Sequence, residues 1–443
     1  MKHLAAALAG VALSTSPAFG ADLLSIFRDA LANDATYSGA KYALEAGSEA
    51  LPQAFAGLLP TIGATASTTR NEANVTFRTV TASLPPGNRV FNNNGYAITL
   101  SQPLFRWNNW QTYQQSKLQV MQAEAVYAQA GQDLAVRVSQ AYFDVLNAQD
   151  TFKVAQVKKT AISEQLAQAK RNFEVGTSTI VDTNEAQSRY DLVIAEELAA
   201  QNDLEVKRTA LQLITGKAPA ELSPLRADIG IPPPRPAAME NWVQAAEDGN
   251  YLIKAQEAAA EVAKRAIEVQ RAGHYPTLDL TASKTRNSAS GNTTNNIGSD
   301  SNATAIGLQL AIPIYAGGIV DSRVRQAIAN EQKAKADLEA QKRAASQNAR
   351  QFFLGVTNGL SQVRALEAAL LSSKTSLDSN KLGYEVGVRI NIDVLNAQQQ
   401  LFTTQRDLYK ARYDTIVNGI RLKAATGAIK EDDIAAANAL LTR

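Results

Sequence analysis

Cysteine is absent from the 443 residues, histidine occurs twice and methionine three times. Without cysteine the chain has no thiol nucleophile, thiolate zinc site, iron–sulfur cluster, disulfide or lipid-carrying N-terminal Cys. His3 falls in an N-terminal stretch that reads as a cleaved signal, which leaves His274 alone. One histidine builds neither a multi-histidine metal site nor a two-histidine zinc motif. The sequence also lacks a GK[ST] phosphate loop and a GxGxxG fingerprint. No enzyme, cofactor or metal is therefore expected. The charge is nearly balanced, at +2 formally, which gives no reason to expect a nucleic-acid partner. Past the N-terminal stretch there is no run of ~18 apolar residues that would cross a bilayer as a helix.

What is present begins with an export signal. Lys2 supplies a positive n-region, Leu4 to Leu13 a short apolar stretch, and Ala18-Phe19-Gly20 a small-residue cleavage site before Ala21. Residues 1–20 are read as a signal peptide, against the alternative of an apolar N-terminal helix. An exported chain without an apolar helix can span a membrane only with strands.

The strongest pattern is internal repetition. TASTTRN at 65–71 returns as TASKTRN at 281–287, and Pro60-Thr61 returns as Pro276-Thr277, both at an offset of 216. Pro103 matches Pro313 and Phe143 matches Phe353 at an offset of 210. FEVG at 173–176 matches YEVG at 384–387, Asp182 matches Asp393, and Thr215-Gly216 matches Thr426-Gly427, at 211. The changing offset places a longer loop in the first copy.

Proline spacing then predicts the anatomy of each copy. None falls between Pro103 and Pro219, and none after Pro313, so both stretches are free to be helical. Leu134, Val138, Ala141, Val145, Ala148, Phe152 and Ala155 step by four and three, a coiled-coil-like period. The first repeat, 21–238, is read as a helix over 22–58 kinked at Pro52, strands over 60–103, a long helix over 104–173, a returning helix over 182–215 and a segment over 217–238. The second repeat, 239–443, is read as a helix over 239–273, strands over 276–313, a long helix over 316–384, a returning helix over 391–424 and a segment over 428–443. About 70 residues of helix span ~105 Å, and two short helices end to end match one long one.

In the strand regions the period changes to two. Leu278, Leu280 and Ala282 alternate with Asp279, Thr281 and Ser283, and Ile306 to Ile312 behave alike. Four strands of about 9–12 residues could each cross a bilayer when tilted. A soluble hairpin with one wet face is the competing reading for a single pair. Four strands close no barrel, so the chain must oligomerise. Two, three or four copies would give 8, 12 or 16 strands, and arithmetic does not choose.

HYPTLDLTAS at 274–283, LAIPIYAGGIV at 310–320 and GYEVGVRINIDVLNAQ at 383–398, set in this duplicated order, resemble the TolC-like outer-membrane efflux and secretion proteins. The resemblance covers essentially the whole mature chain. It implies a mainly α fold with a small membrane β part: a homotrimer whose 12-stranded β-barrel continues into a 12-helix α-barrel. Segments 217–238, with Pro232-Pro233-Pro234, and 428–443 would form an equatorial belt. It also implies an outer-membrane location among outer-membrane lipids, with a periplasmic adaptor (a membrane fusion protein) and an inner-membrane efflux pump or ABC exporter as partners.

The resemblance carries residue roles to the periplasmic tip. Asp393 matches the first of two aspartates that ring the narrowest point, and the second is Asn396 here. One charged ring is thus lost, and weaker cation selectivity than in a two-aspartate relative is expected. Asp182, Tyr384 and Arg389 match residues that latch inner and outer helices, while Val181 replaces a threonine beside the aspartate. The turns Val175-Gly176-Thr177 and Val386-Gly387-Val388 match sites where the adaptor docks. Each has a plainer explanation too: a carboxylate near a helix N-terminus suits the dipole, and glycine closes a helix–helix turn. A non-channel periplasmic coiled-coil adaptor or structural protein is the alternative for the whole chain, but it leaves the strand pairs without a role.

Overall fold

A computed structural model describes residues 21–78, 86–218, 221–226 and 230–442. The expected signal peptide, residues 1–20, lies outside them. In chain order the elements are α1 (Leu23–Asn33), α2 (Ala35–Ser48), α3 (Ala50–Ala56), β1 (Thr61–Val75), β2 (Gly87–Phe105), α4 (Trp107–Glu174) and α5 (Ile180–Thr215). There follow α6 (Met239–Gly249), α7 (Tyr251–Arg271), β3 (Thr277–Ala289), β4 (Ser299–Ala311), α8 (Ile319–Glu385), α9 (Asn391–Ala425) and α10 (Glu431–Asn438). A short 3-10 turn, Ala272–His274, ends α7.

Two of the expected helices are broken. The span 22–58 is three helices. Pro52 has no N–H to give Ser48, and helical bonding lapses at Glu49 while the backbone there stays right-handed helical (φ −69°, ψ −12°). The other break, at Asp34, has a different cause. Its backbone is extended, and its carboxylate accepts from the Tyr37 amide at 2.6 Å, as an N-cap does. The span 239–273 likewise breaks at Asn250, whose side chain donates to the Ala425 carbonyl at 2.9 Å. Asp34 and Asn250 are separated by the same 216 residues as the TAS blocks. A hydrogen-bonding side chain has therefore replaced helix continuity at matching places in both copies.

The chain divides into two compact units. One contains Ala128–Tyr251 and Lys342–Arg443 with the N-terminal segment up to Ala40, and the other contains Lys41–Tyr127 and Leu252–Gln341. In the first unit the four-and-three stripe is the core. Leu134, Val138 and Val145 are fully buried, and Ala141 and Phe152 pack against the same cluster. Tyr142 donates to the Ser223 carbonyl at 2.9 Å and Tyr413 to Asp150 at 2.6 Å, so both buried hydroxyls are satisfied. The last helix is tied to the start of α1: Asn438 donates to Asp22 and accepts from the Leu23 amide.

The second unit contains an antiparallel meander in the order β1-β2-β3-β4. The strands run 15, 19, 13 and 13 residues, longer than expected. β2 passes Pro103 because the register shifts by one between Pro103 and Phe105, a bulge that accommodates the missing donor. Arg106, directly after β2, grips Asp279 of β3 through two hydrogen bonds of 2.8 and 2.7 Å.

Candidate functional site

Two regions of the chain are candidates for function: the turns between α4 and α5 and between α8 and α9, and the faces of the sheet. At the turns, glycine is required. Gly176 and Gly387 adopt φ of 78° and 80°, the left-handed region, within the five-residue turns 175–179 and 386–390 that reverse the chain. The flanking Val175, Val386 and Val388 are exposed, so both turns present apolar side chains to solvent.

Behind the turns, polar side chains join the helices. Asp182 is engaged by its own helix: its carboxylate accepts from the Thr179 amide at 3.0 Å and hydroxyl at 2.9 Å, and its amide donates back to Thr179. Tyr384 accepts from Asn172 at 3.1 Å, tying α8 to α4. Arg389 lies 3.7 Å from Asp393, four residues on. The expected Asp182–Tyr384 and Asp182–Arg389 contacts are therefore replaced within this chain by Asn172–Tyr384 and Arg389–Asp393. Asn396, exposed, accepts from Arg189 of α5 at 3.1 Å.

Four residues at this end were not singled out in the sequence: Gln165, Asn172, Arg189 and Asn391. Asn391, fully buried at the start of α9, accepts from Gln165 of α4 at 2.7 Å and donates to the Asp182 carbonyl of α5 at 3.2 Å. A signal existed, since Gln165 sits between Ile162 and Leu166 in the apolar stripe. Beside Tyr384, α4, α8 and α9 enclose a cavity of about 270 Å³ lined by Glu164, Arg171, Lys381, Glu385 and Gln398. Two acids and two bases give it no net sign.

The sheet has two unlike faces. Cross-strand rows Ile62–Leu100–Ala282–Ile306 and Leu280–Leu308 lie on one, with Leu278, Leu310 and Tyr96. Ile62, Ile306, Leu308 and Leu310 are all exposed in the chain. The other face carries rows Thr61–Ser101–Thr281–Gly307, Gly63–Thr99–Ser283–Ala305 and Ser67–Gly95–Asn287–Ser301. It holds only small and polar residues at these positions. A large exposed apolar sheet face opposite a polar one suits lipid outside and water inside. The outer strands β1 and β4 are each paired on one side only. Among the described residues no helix is long and apolar enough to cross a membrane, and no group of acidic or histidine side chains could hold a metal.

A long-helix fold with a two-faced sheet of this kind defines an outer-membrane channel, and comparison with known proteins agrees. The sequence profile described as "Outer membrane efflux protein" matches residues 26–217 and again 242–428. Outer membrane protein TolC of Vibrio cholerae is 31% identical over 99% of this chain and 98% of its own length. The TolC of Escherichia coli is 30% identical over 100% and 90%. The alkaline protease secretion protein AprF of Pseudomonas aeruginosa is 30% identical over 94% and 86%. Among solved structures, the Campylobacter jejuni CmeC outer membrane channel superposes with a TM-score of 0.79 at 18% identity, covering 100% of this chain and 98% of that one. The chain belongs to the outer membrane efflux protein family. It is an outer-membrane channel of the efflux and secretion class.

Proposed function

We propose that three copies of the chain close their sheets into one twelve-stranded barrel, whose polar faces line a pore continued by the helices through the periplasm. The observation that carries this reading is a four-stranded sheet with an exposed apolar face and two unpaired edges, in a chain without a membrane-spanning helix among its described residues. Lipid tolerates no open edge, so neighbouring copies must supply the missing strands. Two matches to one family profile support reading the chain as two repeats, 21–238 and 239–443.

The channel is the passive outer component of an export machine, not an enzyme. A periplasmic adaptor docks on the exposed Val175-Gly176-Thr177 and Val386-Gly387-Val388 turns, and an inner-membrane efflux pump or ABC exporter supplies cargo and energy. Relatives named for protease secretion and for efflux leave both cargo classes open to this chain. Three Asp393 carboxylates ring the aperture, with Asn396 neutral beside them. At ~6 Å two such charges repel by about 3 kcal/mol at an effective dielectric of 20, enough to favour cations over anions.

The resting tip is held by Asn172–Tyr384 and Gln165–Asn391 within each chain. Asp182 and Arg389 are latch partners for the rearranged or neighbouring tip. Opening is a shift of the inner helices favoured by whatever binds the open form more tightly. A strain lacking this chain, assayed together for drug susceptibility and for secreted proteins, tests the reading. Loss of either export supports a conduit, and unchanged susceptibility with unchanged secretion refutes it.

A further inference from the structure

The repeated Thr-Arg-Asn motif has a place in the sheet that pore lining does not explain. Alternation puts Arg70 on the same face as Ile62, Ala64 and Ala66, and Arg286 with Leu280 and Ala282. This is the apolar face, and both arginines lie beyond the apolar rows, toward the hairpin turns. Lys284 lies two residues before Arg286 on the same face, in the row Ala64–Ile98–Lys284–Thr304. Tyr96 stands directly beside Arg286. The helices join the opposite ends of the strands, since β1 follows α3, β2 runs into α4, β3 follows α7 and β4 leads to α8. With helices on the periplasmic side, these cations stand at the outer edge of the lipid-facing band.

Glu72, two residues from Arg70, and Asp300, diagonal to Arg286, share this face but close no ion pair with them. Arg70, Lys284 and Arg286 are exposed, and among the described residues none has a carboxylate at ion-pair distance. Glu72, on the same face as Arg70, accepts from Asn88 instead. Arg70 pairs with Asn92 and Arg286 with Tyr96, four residues apart on β2. That stagger is about 14 Å along the strand against about 10 Å across two strands, close to what level positions require when strands tilt about 45°. The duplication has thus set two arginines per chain at nearly one height. An unpaired cation on a lipid-facing surface is costly unless its head reaches an anion at the interface, and guanidinium is suited to two-point hydrogen bonding with phosphate.

We infer that Arg70, Arg286 and Lys284 form a docking girdle for the phosphate groups of the outer leaflet's phosphorylated glycolipid, with Tyr96 as the interfacial ring beside it. The inference rests on the barrel reading above. Each chain contributes two arginine sites, so the closed barrel has a basic belt that seats it at a defined depth and recruits a specific lipid.

The test uses the full chain, purified as its oligomer in detergent and studied by native mass spectrometry with added bisphosphorylated lipid A, the same lipid stripped of phosphate, or phosphatidylglycerol. The phosphorylated glycolipid should be retained about tenfold more tightly than its stripped form, and also more tightly than phosphatidylglycerol. Combined R70Q, K284Q and R286Q should erase that preference, whereas R70K with R286K should keep most of it. Equal retention of the three lipids by the unaltered chain overturns the inference without recourse to any variant. So does undiminished preference in the assembled triple variant. A heat-modifiable oligomer in the same preparation separates the two claims: its absence in the unaltered chain counts against the barrel, and its presence without phosphate preference counts against the girdle.

Discussion

Gln165 of α4 donates a 2.7 Å hydrogen bond to Asn391 of α9, and both side chains are buried. Asn391 passes the connection to the Asp182 carbonyl, so one asparagine joins three of the helices behind the turns. A neutral polar contact in an apolar stripe fixes register at little cost while intact, and exposes unsatisfied groups when the helices slide. Asn391→Leu should destabilise the closed arrangement by about 1–3 kcal/mol. Planar-bilayer recording should show higher resting conductance, and an unchanged resting level would remove this contact from the gate.

Tyr384 and Asn172 form the second tie, between α8 and α4. Tyr384→Phe deletes one exchangeable hydrogen bond and is expected to raise resting conductance modestly. Combining it with Arg389→Ala, which frees Asp393 from its nearby cation, should raise it further. If the double variant conducts at the resting level of the unaltered channel, neither residue contributes to closure.

Asp393 carries the aperture charge in this account. Asp393→Ala should move the single-channel reversal potential in a salt gradient toward zero, and Asn396→Asp should shift it toward stronger cation preference by adding a second ring. A reversal potential indifferent to both substitutions would show that selectivity is set elsewhere.

Acid should act on two carboxyls in opposite directions. Burial pushes the Asp34 carboxyl up, but hydrogen bonds from Arg137 and the Tyr37 and Thr36 amides, with the Arg137 charge, outweigh it and hold it below the usual range. Its contribution is therefore present above the unfolded value near 3.9 and lost as pH falls through the lower folded value. Asp150 is the reverse. Burial raises it, and the Tyr413 hydrogen bond and Lys153 charge offset this only in part. Its contribution is present at low pH and lost as pH rises through the raised folded value. In thermal melts, Asp34→Asn should cost about 1–3 kcal/mol at neutral pH and little in strong acid. Asp150→Asn should be close to neutral or stabilising above pH 7. Equal effects of either substitution at both pH extremes would contradict the assignment.

Much of this fold could be read from sequence, for identifiable reasons. The long helices follow from proline-free stretches with a 3.5-residue period, and Leu134, Val138 and Val145 are buried as that period requires. The turns follow from Gly176 and Gly387, because few residues tolerate their φ. The break at Asn250 was hidden because its side chain's partner, the Ala425 carbonyl, is distant in sequence; at Asp34 the cap on Tyr37 is local, and distant Arg137 adds a grip on the same carboxylate. The contacts made at the tip within one chain were hidden for a related reason. Thr179 takes up Asp182 through a local capping box, so the latch residues found other partners. The faces of the sheet were legible from alternation, but the placing of Arg70 beside Asn92 and of Arg286 beside Tyr96 emerged only from strand register.

The absence of cysteine offers the most direct test of the central claim, that copies of the chain close a barrel edge to edge. Ala64→Cys on β1 can be combined singly with Asp300→Cys, Asn302→Cys, Thr304→Cys or Ile306→Cys on β4, which share its face of the sheet, with no native thiol to interfere. After oxidation in the outer membrane and full denaturation, at least one pairing should yield a covalent ring of three times the chain mass, dispersed by reductant. Covalent dimers as the end point for every pairing, or no cross-linked species in any of them, would contradict the account.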